Sequence, residues 1–327
     1  MKRLLTLSLA MLPYFPADTP QRLERTRERI LDLIDQAAAS GAGLVAFPEM
    51  CTTDESNNLW QVESLDGPTL TAVAEQARRH SIYVVCPLLT EEEGKRYNSS
   101  VLIGPNGRQV GCYHKVFPTH WEMDQGITPG EESPVFETDL GRLGLSICFD
   151  IQFWEVGSGF GANKADLVIW SSTWDGARQL TRWPLEFGFS MGAVCTHHAT
   201  AVDPVGRTIA SLARSSLTRV GRAPLLNATL DLGCRVVHHD INIDKLAGLF
   251  RKYGPTAASM EHLNTECLLV VNSNLPDLST DDLIAEFGLE TMRDFLARVR
   301  RDRRLALAGR YEPDLELNPP LPGTPRQ

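Results

Sequence analysis

Apolar positions along this chain switch between two periods, and the switching predicts a layered α/β fold. Leu5, Leu7 and Leu9 alternate with polar neighbours, the two-residue period of a strand. Thr19 is placed to cap a helix with Pro20 at its first position. Leu23, Ile30, Leu31, Ile34 and Ala38 then recur at helical spacing until Gly41 ends the run. Leu44, Val45, Ala46 and Phe47 are apolar without interruption, as in a strand buried on both faces, which leaves Glu49 at its carboxyl end. A second helix carries Leu70, Val73, Ala74 and Ala77 on one face and leads into a strand over residues 82–89. Residues 100–104 and 108–115 flank Pro105, Asn106 and Gly107, the turn chemistry of a hairpin.

The alternation continues beyond. A strand over 143–148 runs into a helix from about Gln152, so Cys148 sits at a strand-to-helix elbow where backbone N–H groups point outward. A strand at 166–170, a helical stretch at 184–191 and strands at 194–202 and 208–212 complete the pattern. From about Ile241 the chain reads as more helical. Ser279 and Asp282 form a capping box ahead of Leu283, Ile284, Phe287, Leu289, Met292, Phe295 and Leu296. Residues 318–327 are proline-rich, and no internal repeat is present. The expected organisation is a catalytic domain over 1–275, then a helical extension and proline-rich tail over 276–327.

A chain of 327 residues buries a large core, and its net charge of −9 argues against nucleic acid as a partner. The one basic cluster, Arg298 to Arg304, follows an amphipathic stretch and reads as a solvated helix end. Seven cysteines contain no CxxC pair, which fits a reducing compartment better than a disulfide framework. The first ten residues mimic a signal peptide, but the short apolar run and its alternation favour a strand. No segment has the apolar length to cross a bilayer, and a cytoplasmic location is expected.

Three short motifs carry the chemistry: Phe47-Pro48-Glu49, Tyr113-His114-Lys115 and Ile147-Cys148-Phe149-Asp150. They supply a carboxylate, an ammonium and a thiol. A thiol near its ordinary pKa of about 8.5 needs a base and a cation beside it to attack at neutral pH. In this order, with Tyr97-Asn98-Ser99-Ser100 ahead of Lys115 and Phe153-Trp154-Glu155 after Cys148, the motifs resemble the Glu-Lys-Cys triad of the nitrilase superfamily of carbon–nitrogen hydrolases. The likeness covers roughly residues 1–240.

The resemblance implies a four-layer αββα sandwich and a homodimer or higher homo-oligomer. It also implies cleavage of a non-peptide C–N bond in a small carboxamide or N-carbamoyl compound through a thioester, with no cofactor and no metal. Glu49 would be the base, Cys148 the nucleophile, and Lys115 with the Phe149 backbone N–H the oxyanion stabilisers. Glu122 matches a second family glutamate ahead of Pro129-Gly130, the alternative being an exposed loop acid, and Trp174 stands where family members line the acyl pocket, the alternative being plain packing. Asp150 is expected to anchor the elbow rather than transfer a proton. Gln152-Phe153-Trp154-Glu155 and residues 187–192 depart from the amidase pattern, which leaves a silent binding module as one alternative; a nitrile hydrolase is another, because the same triad can add a thiolate to a carbon–nitrogen triple bond. His197 and His198, taken as neighbours on one strand, face opposite sides and do not share a metal.

Overall fold

The structure, a computed structural model, describes residues 3–16, 19–53, 61–219, 221, 224–263 and 267–312. It divides into two compact units, one of residues 3–232 and one formed mainly by the chain from Gly233 onward.

The first unit opens with β1 (Leu4–Ala10), α1 (Arg22–Ala39), β2 (Leu44–Ala46), α2 (Pro68–His80) and β3 (Tyr83–Glu92). β1, β2 and β3 are parallel, because helices connect them. Two tight turns then add β4 (Lys95–Ile103) and β5 (Gln109–His114) antiparallel at the edge. After α3 (His120–Asp124) come β6 (Val135–Thr138), β7 (Gly141–Ile147), α4 (Trp154–Ala162), β8 (Leu167–Ser171), α5 (Arg182–Phe187) and β9 (Ser190–Val194). β10 (His198–Val202), β11 (Thr208–Ala213), α6 (Arg214–Thr218) and β12 (Leu225–Asp231) close the unit. The strands form two six-stranded sheets, ordered β12-β1-β2-β3-β4-β5 and β11-β10-β9-β8-β7-β6.

The sheets pack face to face, and helices cover their outer faces, giving the expected αββα sandwich. Leu7 and Leu9 of β1 meet the second sheet at Gly192, where a Cβ would lie 2.5 Å from a Leu7 methyl carbon. Ile30, Leu33 and Ile34 of α1 and Leu70 and Val73 of α2 pack on the outer face of the first sheet. Phe160 of α4 and Trp183 of α5 cover the second. Burial of this apolar surface, at roughly 25 cal/mol per Å², is the main force holding the layers.

Several expectations need correction. α1 starts at Arg22 rather than at Pro20, because Gln21 takes a left-handed backbone at φ 52°. The helical stretch expected over 184–191 stops at Phe187, since Gly188 caps α5 at φ 68° and the chain turns into β9. The single strand expected over 194–202 is instead the last residue of β9, a turn of Cys195, Thr196 and His197, and the antiparallel β10, so His197 lies in the turn and His198 on β10. The segment 187–192, a departure from the family pattern, is core: Phe187, Phe189 and Met191 are buried.

The second unit contains β13 (Arg235–His238), α7 (His239–Tyr253), β14 (Ala258–Leu263), β15 (Leu268–Ser273), α8 (Thr280–Phe287) and α9 (Met292–Leu307). Its sheet runs β13-β15-β14. The expected boundary near residue 275 therefore falls inside this unit, whose own core joins Val237, Leu246, Leu249, Leu269 and Val271 to Leu283 and Leu289. The apolar face of α8 is thus covered within its unit. α9 buries no residue fully, and Arg298 in its basic cluster is paired with Glu290 at 2.8 Å. The proline-rich residues 318–327 lie outside the described residues. Among those described, no helix is long and apolar enough to cross a membrane.

Candidate active site

Four strand ends converge between the sheets, as carboxyl ends do in open α/β sheets. β2 leads through Phe47 and Pro48 to Glu49, and β5 leads directly to Lys115. β7 ends one residue before Cys148, and β8 ends at Ser171, ahead of Ser172 and Thr173. The Ser171 hydroxyl donates to the Phe47 carbonyl at 2.8 Å, tying a strand end of one sheet to a strand end of the other.

Glu49, Lys115 and Glu122 form one buried network, each at most 3% exposed. The Lys115 ammonium donates to Glu49 Oε1 at 2.8 Å and to both Glu122 oxygens at 2.8 and 3.0 Å. Glu122 is positioned by a capping box: the Thr119 hydroxyl accepts from the Glu122 N–H, and the Thr119 N–H donates back to Glu122 Oε2 at 2.7 Å. Burial alone pulls the Lys115 pKa down, but the charges of Glu49, Cys148 and Glu122 outweigh it and hold the ammonium well above its ordinary value. Burial pushes the Glu122 carboxyl up, yet Lys115 and the hydrogen bonds from Thr119 and Asn98 bring it below the usual carboxylate range. Both charges therefore persist at neutral pH.

Cys148 opens a 3₁₀ turn, Cys148–Gln152, in a left-handed backbone at φ 45°, a strained geometry for a residue with a Cβ. Two anchors hold the elbow. Trp170 Nε1 donates to the Cys148 carbonyl at 2.9 Å. Asp150, fully buried, accepts from the Ile147 and Phe117 N–H groups at 3.0 and 2.9 Å and from the Tyr113 hydroxyl at 2.6 Å. Asp150 thus anchors the elbow, as expected. The thiol lies 3.9 Å from the Thr173 hydroxyl, and burial followed by the Glu49 charge pushes its pKa up to about 12, although Lys115 and Ser172 pull it down. At neutral pH the thiol form therefore predominates.

Glu49, Lys115, Glu122 and Cys148 are therefore brought together. Glu122 is a buried partner of Lys115, not an exposed loop acid. The Phe149 N–H belongs to the first turn of the 3₁₀ segment, where helical N–H groups have no partner within the helix. Its half-buried ring meets Phe153 edge-on at 5.2 Å, and Phe153 stacks on Phe117 at 3.6 Å. Trp174 is half-buried too, its ring edge-on to Trp170 at 5.7 Å.

Sequence reasoning missed Asn98 and Thr173 as site residues. Asn98 Nδ2 donates to Glu49 Oε1 and to Glu122 Oε1, both at 2.8 Å, and bridges the two carboxylates. The Thr173 N–H donates to Glu49 Oε2 at 3.1 Å. Asn98 stood inside a quoted motif, and that was the one available signal.

The chain is 31% identical over 180 residues to the deaminated glutathione amidase of Synechocystis sp., an alignment covering 49% of this chain and 66% of that protein. It is 26% identical over 240 residues to the omega-amidase NIT2 of Homo sapiens, covering 67% and 83%. For the first three distinct relatives the matched part spans 60–66% of their length, just under two thirds. Among solved structures, an amidase from Nesterenkonia sp. superposes with a TM-score of 0.60 at 22% identity, covering 76% of this chain and 96% of that one. A mutant of that amidase carries the acetamide moiety of fluoroacetamide on its active-site cysteine. The carbon-nitrogen hydrolase profile matches residues 9–233, a span that includes every residue of the network and ends one residue past the first compact unit. On that match, the chain belongs to the carbon–nitrogen hydrolase family.

Proposed function

We propose that this protein is a cysteine-dependent hydrolase that cleaves the C–N bond of a small carboxamide or N-carbamoyl compound. The observation that carries the reading is the Asn98-bridged network of Glu49, Lys115 and Glu122, set beside a thiol that is protonated at neutral pH. Glu49 takes the proton of Cys148 while the sulfur attacks the carbonyl carbon. The oxyanion that forms is met by the Lys115 ammonium and the Phe149 N–H. Glu49 passes the proton to the leaving nitrogen, which departs as ammonia or an amine and leaves a thioester. Glu49 then takes a proton from water, the hydroxide attacks the thioester, and the acid leaves as the proton returns to sulfur.

The small acetamide moiety carried by the active-site cysteine of the Nesterenkonia amidase mutant, together with the half-buried aromatic rings next to Cys148, favours compact substrates. Ammonia release should be screened on acetamide, butyramide, N-carbamoyl amino acids and the matching nitriles. Carboxamides or N-carbamoyl compounds are expected to turn over, and Cys148→Ala to abolish the activity while the fold persists. Turnover of nitriles alone, or full activity in Cys148→Ala, would overturn the reading.

A further inference from the structure

β5 has two faces, and the network uses only one. Tyr113 and Lys115 point between the sheets, whereas Cys112 and His114 point to the outer face of the first sheet. On that outer face, register places Ser99 opposite His114, and Glu92 closes the end of β3 beside them. We propose that Glu92, Cys112 and His114 form a binding site for a divalent transition-metal ion of the zinc class, distinct from the candidate active site.

Three observations support it. The ligating atoms of the three residues all lie within 4.8 Å of one another, with His114 Nε2 3.5 Å from Glu92 Oε1. A thiol, an imidazole and a carboxylate are the donor set that a borderline cation prefers, and hard cations such as magnesium do not. The histidine is also oriented. Thr90 donates to Glu92 at 3.4 Å and shares a 2.6 Å hydrogen bond with Ser99, whose hydroxyl lies 2.9 Å from His114 Nδ1. With Nδ1 engaged by Ser99, Nε2 is the ring nitrogen turned towards Glu92, as in metal-bound histidines that ligate through one nitrogen and hydrogen-bond through the other.

The site opens on a cleft of about 290 Å³ that Tyr97, Gly130, Glu131 and Glu132 also line. A fourth ligand can come from water or from one of these glutamates. Tyr97 stacks on the His114 ring at 4.1 Å and limits its rotation.

The test uses the full chain titrated with Co²⁺, read by the thiolate-to-cobalt charge-transfer absorption, with Zn²⁺ as competitor. One saturable site is expected, with Zn²⁺ displacing Co²⁺. It should persist in Cys148→Ala, vanish in Cys112→Ser and weaken at least about tenfold in Glu92→Gln. Near-UV circular dichroism checks that each variant folds, and Glu92→Gln, at a half-buried strand end, keeps the test open if Cys112→Ser does not. Absence of the band, loss of it in Cys148→Ala alone, or binding unchanged by both site substitutions would overturn the proposal; the last would mean adventitious surface binding.

Discussion

Glu122→Gln changes one atom of the network and tests what the network is for. The carboxylate receives five hydrogen bonds. Oε1 accepts from Lys115 and Asn98, and Oε2 from Lys115, the Thr119 N–H and the Thr119 hydroxyl. Lys115 and the Thr119 N–H can only donate, so the amide nitrogen of a glutamine meets a donor at either position. On the Oε1 side it meets the Asn98 amide, and on the Oε2 side the Thr119 N–H. Breaking a buried ion pair costs about 3–5 kcal/mol, but Glu49 stays 2.8 Å from the ammonium, so the expected loss is nearer to about 2–3 kcal/mol. At about 2–4 °C per kcal/mol for a domain of this size, Tm should fall by roughly 5–10 °C.

The sign of the pH dependence follows from the direction of the Glu122 shift. Its folded-state pKa lies below the ordinary value, so its contribution is fully present above the unfolded pKa of about 4.3 and is lost as pH falls through the folded one. The stability gap between wild type and Glu122→Gln should be widest at pH 7 and shrink below about pH 4. Urea denaturation across that range measures it. Turnover should fall roughly 10²–10³-fold, because an ammonium drawn towards Glu49 no longer meets the oxyanion. A gap under about 1 kcal/mol at pH 7, or one that is still undiminished well below the unfolded pKa, at about pH 3, would refute the electrostatic reasoning. Unchanged turnover would refute the role given to Glu122.

Three further predictions follow from the same geometry. Glu49→Gln removes the charge that raises the Cys148 thiol and leaves Lys115 to lower it. Alkylation by a neutral haloacetamide at pH 8 should then rise roughly tenfold while amide turnover falls at least about 100-fold; slower alkylation would contradict this account. Asp150, which burial raises to about 6, holds its proton more tightly folded than unfolded. Its contribution to stability therefore falls as pH rises from about 4 through 6, a slope that Asp150→Asn should remove from paired urea curves; parallel curves would be evidence against it. Assembly is the third. Val299 and Leu307 of α9 are exposed at 43% and 73%, and light scattering should find a homodimer or larger that Val299→Glu with Leu307→Glu disperses. An unaltered oligomer would place the interface elsewhere, and a wild-type monomer would remove the claim.

What could be read from the sequence was whatever the chain encodes locally. Leu44 to Phe47 announces itself because a parallel strand covered on both faces is apolar throughout, and residues 143–148 are apolar but for Ser146; the first leads through Pro48 to Glu49, and the second ends at Cys148. The turn at Cys195 to His197 carries no glycine or proline, so it read as part of a strand, while the start of β9 read as helix. The boundary at Leu232 was equally hidden. Val236, Val237, Leu268 and Leu269 have the composition of the catalytic strands, and only their pairing with each other assigns them to a separate sheet. Asn98 shows the same limit inside the site. Its role depends on the β4–β5 register, which sets Ser99 against His114 and delivers the Asn98 side chain to two carboxylates 49 and 24 residues away. The protonation state of Cys148 lies further still from the sequence, because burial and the balance of Glu49 against Lys115 decide it. A motif can therefore name a nucleophile. Whether that nucleophile waits as a thiol or as a thiolate depends on the three-dimensional arrangement of its neighbours, and here the arrangement favours the thiol, which is why the proposed mechanism gives Glu49 the role of base.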